Sequence, residues 1–287
     1  MTRRTFAEQL APAYAANANV VALFAGGSTA RGHADRYSDL EVGVVWDRPP
    51  TDTERADAIV AAKGDLVRLY AAEEDVLGPV WADAWKIGRI DGAPLTGVEV
   101  DMHHFLLERV EQVFADVLDN FDPDLVKQSL IGAIATGIPL HGRELLERWG
   151  RRATVYPEGL RVAVVGANAQ IEGLWRLDAF AARDNPLAGY AVLTSAHEQL
   201  LRTLLGLNRT YYSGVKSLDA VTTDLELAPP DLSDRIRASY PLRPGESKEI
   251  LTALVEDVYD LIERHVPEID VRRLRAFLRY ERPLWDE

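Results

Sequence analysis

The chain contains no cysteine, so disulfides and thiolate chemistry are excluded from its 287 residues. It has no apolar run near the ~18 residues that a membrane helix requires, which predicts no membrane partner. The N-terminal Met1-Thr2-Arg3-Arg4 is basic, but Glu8 and Gln9 stand where a secretory leader needs an apolar core. A cytoplasmic protein is therefore expected. Basic charge is also in deficit: the formal net charge is −13. Binding to long nucleic acids demands clustered Lys and Arg, so that class is disfavoured, whereas a cationic small partner fits an acidic field. There are no repeats and no low-complexity segment. No Gly-Lys-Ser or Gly-Lys-Thr follows the glycines near residue 26, so the turn there is not a P-loop.

What remains is an ordinary globular composition, 47% hydrophobic and 27% charged, long enough for two domains. Apolar spacing predicts a helix over 2–17, then a short buried strand over Val20 to Ala25. Asp39 to Trp46 predicts a second strand, and Thr51 to Ala72 a capped helix. Trp85 to Ile90 and Val98 to Phe105 predict two more strands, joined by a hairpin over 91–97, with a helix over Leu106 to Leu118. Beyond Asp122 strand-like alternation almost disappears. Helices are predicted at 124–136, 143–149, 158–183, 187–207, 214–222, 231–239 and 246–265, with a basic helical tail from Asp270. The expected class is α+β: an N-terminal domain, 1–121, with a small mixed β-sheet flanked by helices, and an all-helical C-terminal bundle, 122–287.

The strongest chemical signal lies between Val20 and Trp46. The first strand ends in Gly26-Gly27-Ser28, and Ser38-Asp39-Leu40-Glu41 opens the next. Residues two apart in a strand share a side, so Asp39 and Glu41 project together. Paired carboxylates repel when both are ionised, and a divalent cation with hard oxygen preference, Mg²⁺, relieves that repulsion. A glycine turn lets backbone amides approach a phosphate, and the Ser28 hydroxyl can donate to it. A third carboxylate is expected from a neighbouring strand, either Asp101 or Glu99, which share one face of Val98 to Met102; Asp101 is preferred. His103-His104 does not make a zinc pair, because adjacent strand residues point to opposite sides. Gly26-Gly27-Ser28-Thr29-Ala30 is one residue from a nucleophile elbow, but it follows the first strand and leaves Asp39 and Glu41 without a role.

Gly-Gly-Ser, then Asp-x-Glu about ten residues on, then an acid on a later strand, resembles the polymerase-β-type nucleotidyltransferases. More narrowly, Tyr37 to Glu41, Gly97 to Asp101 and Leu204 to Tyr212 are similar to the kanamycin (aminoglycoside) nucleotidyltransferases. A weaker match covers Ile262 to His265 with Ile269 to Val271.

The resemblance implies an enzyme, a transferase of nucleoside monophosphate from ATP or another nucleoside triphosphate to a hydroxyl of a small, cationic, aminoglycoside-like acceptor. Gly26, Gly27, Ser28, Ser38 and Lys216 would bind the nucleotide. Asp39, Glu41 and Asp101, with Glu99 beside them, would hold one or two Mg²⁺ ions. The family's general base is a carboxylate on the first long helix of the second domain, here Glu172 or Asp178; Asp101 is a further catalytic candidate. The family's Lys four residues after that base has no counterpart, and Arg176 or Arg183 would supply the charge. The resemblance also implies a homodimer whose active site lies between subunits. Two other uses of such a fold stand as alternatives: a regulatory or antitoxin-like module, and transfer to a protein or RNA acceptor.

Overall fold

The computed structural model describes residues 2–87, 97–171 and 173–283. The chain divides into two units, the first made of Met1–Asn120 with Asp124–Val155, the second of Phe121–Pro123 with the residues from Tyr156 onward. The architecture is mixed α/β in the first unit and helical in the second.

In the first unit, helix α1 (Arg3–Ala15) starts where the Thr2 side chain accepts from the Thr5 amide. It buries Leu10 and Tyr14 against the sheet. Strands β1 (Val20–Ala25), β2 (Leu40–Trp46), β3 (Asp65–Leu69), β4 (Glu73–Asp75), β5 (Gly78–Ile87), β6 (Val98–Leu106) and β7 (Ile138–His141) form a seven-stranded sheet. Its order is β3-β5-β6-β2-β1-β7, with β4 paired to β5. The β2–β6 pair is parallel and the other pairs are antiparallel.

Alternation along β2 and β6 separates the two faces. Leu40, Val42, Val44 and Trp46 enter one apolar core with Val100, Met102 and Trp85. Glu41, Asp101 and His103 stand on the other face, and His103 and Glu99 are exposed. Helices α2 (Gly27–Arg31), α3 (Asp52–Ala61), α4 (Leu107–Phe114), α5 (Leu125–Thr136) and α6 (Arg143–Ala153) complete the unit. Thr51 and Glu54 cap α3 reciprocally, each side chain bonded to the other's backbone amide.

Three expectations are corrected here. The helix predicted over 51–72 ends at Ala61, and β3 follows. The chain reverses at Lys63, whose φ is +58°, and at Gly64, where a Cβ would meet the Trp85 ring at 2.2 Å. The sheet is therefore larger than predicted. The C-terminal half also contributes a strand: β7 pairs with β1 through Ala25↔Ile138 and Phe24↔Pro139. A proline is tolerated there because β7 is an edge strand. The boundary placed after 121 consequently moves to Val155, since α5, β7 and α6 belong to the first unit.

The helical unit contains α7 (Glu158–Asn168), α8 (Trp175–Ala182), α9 (Pro186–Leu207), α10 (Leu218–Thr222), α11 (Leu232–Ser239), α12 (Lys248–His265) and α13 (Val271–Leu278). The single helix predicted over 158–183 is two helices: α7 ends at Asn168, and Gly173 adopts φ +80° before α8. Leu200, Leu204, Leu251, Leu254 and Val258 centre its core. Among the described residues no helix is long and apolar enough to cross a membrane.

Candidate active site

Strand β1 is continuous apolar sequence because it lies inside the sheet, and it delivers the chain to Gly26. The Gly26 amide donates to the Glu41 carbonyl at 2.9 Å, locking the turn to β2. Gly27 has φ +58°, and a Cβ there would lie 2.0 Å from Glu41 Oε2. Only glycine satisfies both demands: the left-handed backbone and a carboxylate seated directly against it. Ser28 sits in the first turn of α2, whose end closes through the Gly32 amide bonding to the Ser28 carbonyl.

The loop before β2 is built locally. Ser38 Oγ accepts from the Asp35 amide and donates to Asp35 Oδ1, both at 3.0 Å. The Asp35 carboxyl is held below its ordinary range by the Tyr37 amide and the Ser38 hydroxyl. Arg3 Nε donates to the Ser38 carbonyl at 2.8 Å. The Ser38 hydroxyl thus shapes the loop that places Asp39.

The parallel pairing puts Glu41 directly opposite Asp101. Asp39 reaches the same place, since its carboxyl shares a hydrogen bond with that of Asp101. The Asp101 carboxyl is raised above its ordinary value by burial, then by the charges of Asp39 and Glu99, with His103 opposing. Acids brought this close make a site of concentrated negative potential. Glu99 faces Lys86 across the β5–β6 pair and adds its field from the exposed side. Among the described residues no three His, Cys, Asp or Glu side chains enclose an ion as they stand. The Asp39–Asp101 pair is the part that fits a hard divalent cation, with Glu41 two residues on from Asp39.

The remaining predicted residues lie in the helical unit. Asp178, on α8, is bound by Lys248 Nζ at 2.5 Å, and Lys248 also reaches Glu281 Oε1 at 2.8 Å. Burial lowers the Lys248 ammonium, but its two acids outweigh that and raise it. Glu172 lies outside the described residues, as does the 91–96 stretch of the predicted hairpin. Lys216 stands in the segment between α9 and α10, two residues after Gly214 with φ +80°. Arg176 lies over the Trp175 ring at 5.6 Å.

A buried polar chain beneath the sheet was not read from the sequence. Arg55 on α3 bonds to Asp83 on β5, and Asp83 Oδ2 lies 2.8 Å from His104 Nε2. Trp46 Nε1 donates to His104 Nδ1 at 3.0 Å, so the ring proton sits on Nε2 and is given to Asp83. Burial lowers the His104 pKa despite Asp83. Arg55, Asp83 and His104 are each almost wholly inaccessible. The chain ties β2, β5 and β6 together behind the acids, and its members come from positions 46, 55, 83 and 104, which no local spacing connects. His103 and His104 do diverge as expected, one exposed and one buried.

No family model matches the chain, and no curated protein is similar to it. Among solved structures, a nucleotidyltransferase-like protein from Exiguobacterium sibiricum 255-15 aligns over 94% of this chain and 78% of its own, at 12% identity and a TM-score of 0.41. A likeness that distant leaves the chemistry to be argued from the Gly27 turn and the Asp39–Asp101 pair.

Proposed function

We propose that this protein is a nucleotidyltransferase that moves a nucleoside monophosphate from ATP or another nucleoside triphosphate to a hydroxyl of a small acceptor, with release of pyrophosphate. The observation that carries the reading is the carboxyl pair of Asp39 and Asp101 beside Glu41, whose own carboxylate lies against the Gly27 turn.

Each residue has a part. Asp39, Glu41 and Asp101 are the ligands for one or two Mg²⁺ ions, with Glu99 at their edge. Magnesium held there would supply the charge that neutralises triphosphate oxygens and relieves the mutual repulsion of the acids. Gly26, Gly27 and Ser28 offer backbone amides and a hydroxyl to the polyphosphate. Catalysis of this class depends on positioning and charge neutralisation, so a rigid sheet behind the acids serves it directly. The net charge of −13 favours a cationic, aminoglycoside-like acceptor. A homodimer would follow the same resemblance.

The test is pyrophosphate release with Mg²⁺ and each nucleoside triphosphate across aminoglycosides and other polyols. Activity with one acceptor class, abolished in Asp39→Asn and Asp101→Asn, supports the reading. Full activity in Asp39→Asn overturns it. Sedimentation over micromolar concentrations reads the dimer separately.

A further inference from the structure

The start of α7 gathers two cations around a single carboxylate. Glu158 accepts from Arg161 Nη1 through Oε1 at 3.0 Å and from Arg209 Nη2 through Oε2 at 2.7 Å. One negative charge thus bridges two guanidiniums and leaves one positive charge in surplus. Arg161 is only 5% exposed, and its Nε has no hydrogen-bond partner among the described residues. The Tyr156 hydroxyl, two residues before Glu158, is also buried without one. Its ring packs on Tyr211 at 5.0 Å. Tyr211 stands two residues beyond Arg209, so this ring contact brings the segment before α7 beside the one that carries Arg209. Buried donors left unpaired are costly, and the cost calls for a ligand that satisfies them.

Two further features point the same way. Arg209 adopts φ +53° at the end of α9, a conformation that glycine tolerates far better. In addition, Pro157 precedes α7 and gives it no side-chain cap, so its first-turn amides gain nothing from that residue.

We propose that Tyr156, Arg161 and Arg209 form a binding site in the helical unit for a phosphate-class oxyanion, with Glu158 as its internal placeholder. Glu158 is about half exposed, so its side chain can turn into water as the ligand takes over both guanidiniums. The tetrahedral anion accepts from both arginines, whose planar forks suit it, and from the phenol. All of its residues belong to the helical unit, and it does not depend on the transferase reading.

The experiment is calorimetric titration of the full chain with inorganic phosphate, at fixed ionic strength and with EDTA present to remove metal-bridged binding. Saturable binding to one site is expected. Glu158→Gln is expected to tighten it several-fold, because the competing carboxylate is gone. Tyr156→Phe and Arg209→Gly are expected to weaken it roughly tenfold or more, the worth of a charge-assisted hydrogen bond, with melting temperatures at or above that of the unmodified protein. Asp39→Asn is expected to bind phosphate normally. The proposal is overturned if neither the unmodified protein nor Glu158→Gln binds phosphate saturably, if Tyr156→Phe and Arg209→Gly bind it equally well, or if their loss of binding tracks a fall in melting temperature. A titration with acetate at the same ionic strength separates a phosphate site, where acetate binds much more weakly, from a general carboxylate trap, where it binds equally and refutes the assignment.

Discussion

Replacing His197 with leucine is expected to flatten the acid limb of this protein's stability curve. His197 lies on α9, is 3% exposed, and neither ring nitrogen has a hydrogen-bond partner among the described residues. Burial lowers its pKa from 6.5 to about 4. The folded form therefore keeps the ring neutral, while the unfolded chain protonates it near its ordinary value. Between those two values the unfolded state binds more protons, so stability rises with pH and falls as the solution is acidified. A shift of that size corresponds to about 3 kcal/mol lost by pH 4, and to about 2 kcal/mol by pH 5. The stabilising contribution is fully present above pH 6.5 and is removed stepwise below it. Urea denaturation at pH 7.5 and pH 5, on the unmodified protein and His197→Leu, measures the effect as a difference of differences. That comparison cancels the carboxylates, which titrate alike in both. At pH 7.5 the leucine variant is expected to match or exceed the parent, because two unpaired nitrogens are exchanged for apolar atoms of similar size. Equal pH dependence in the two proteins, or an imidazole resonance for His197 that titrates near 6.5, would refute the reasoning.

Other perturbations follow from the geometry. Gly27→Ala is expected to cost about 1–2 kcal/mol from its left-handed backbone alone, and to displace the Glu41 carboxylate that would meet the new Cβ; thermal melts and pyrophosphate release report the two effects separately. Asp39→Asn is expected to end transfer while leaving stability unchanged or raising it by up to about 1 kcal/mol, since it removes a charge that opposes Asp101; a clear loss of stability would show that the acids do not repel. Asp83→Ala leaves Arg55 buried without its partner and is expected to cost about 3–5 kcal/mol in chemical denaturation, a much larger effect than losing the exposed Arg4–Glu8 pair.

The sequence was most legible where one residue's period decides its neighbour's side. Alternation through Leu40, Glu41 and Val42 placed the acid on one face and the apolar core on the other, and the structure shows that separation. The same rule sent His103 and His104 to opposite faces. It failed where a distant contact overrides local preference. Asp65 to Leu69 continued a helical pattern, yet the approach of Gly64 to the Trp85 ring breaks the helix and turns that segment into a strand. Pro139 spoke against a strand, and only the edge position of β7 makes it acceptable. The acids illustrate both outcomes. Asp39 and Glu41 could be joined by spacing, and Asp101 by its own alternation, but the hydrogen bond between Asp39 and Asp101 depends on two strands brought side by side across some sixty residues. Asp178 carried no local sign of Lys248, its ion-pair partner seventy positions away. The same holds for Glu158 and Arg209, which are fifty-one apart.

The last strand to join the sheet governs how this chain can be cut. A fragment stopped at residue 121 would leave one side of β1 as an open row of amides and carbonyls, beside the very turn that carries Gly27. Such bare rims recruit strands from other molecules, and the fragment would be prone to clump. Extending it to residue 155 restores the covering strand and the helices on either side of it, so expression trials and limited proteolysis of the isolated half should be designed around that later terminus.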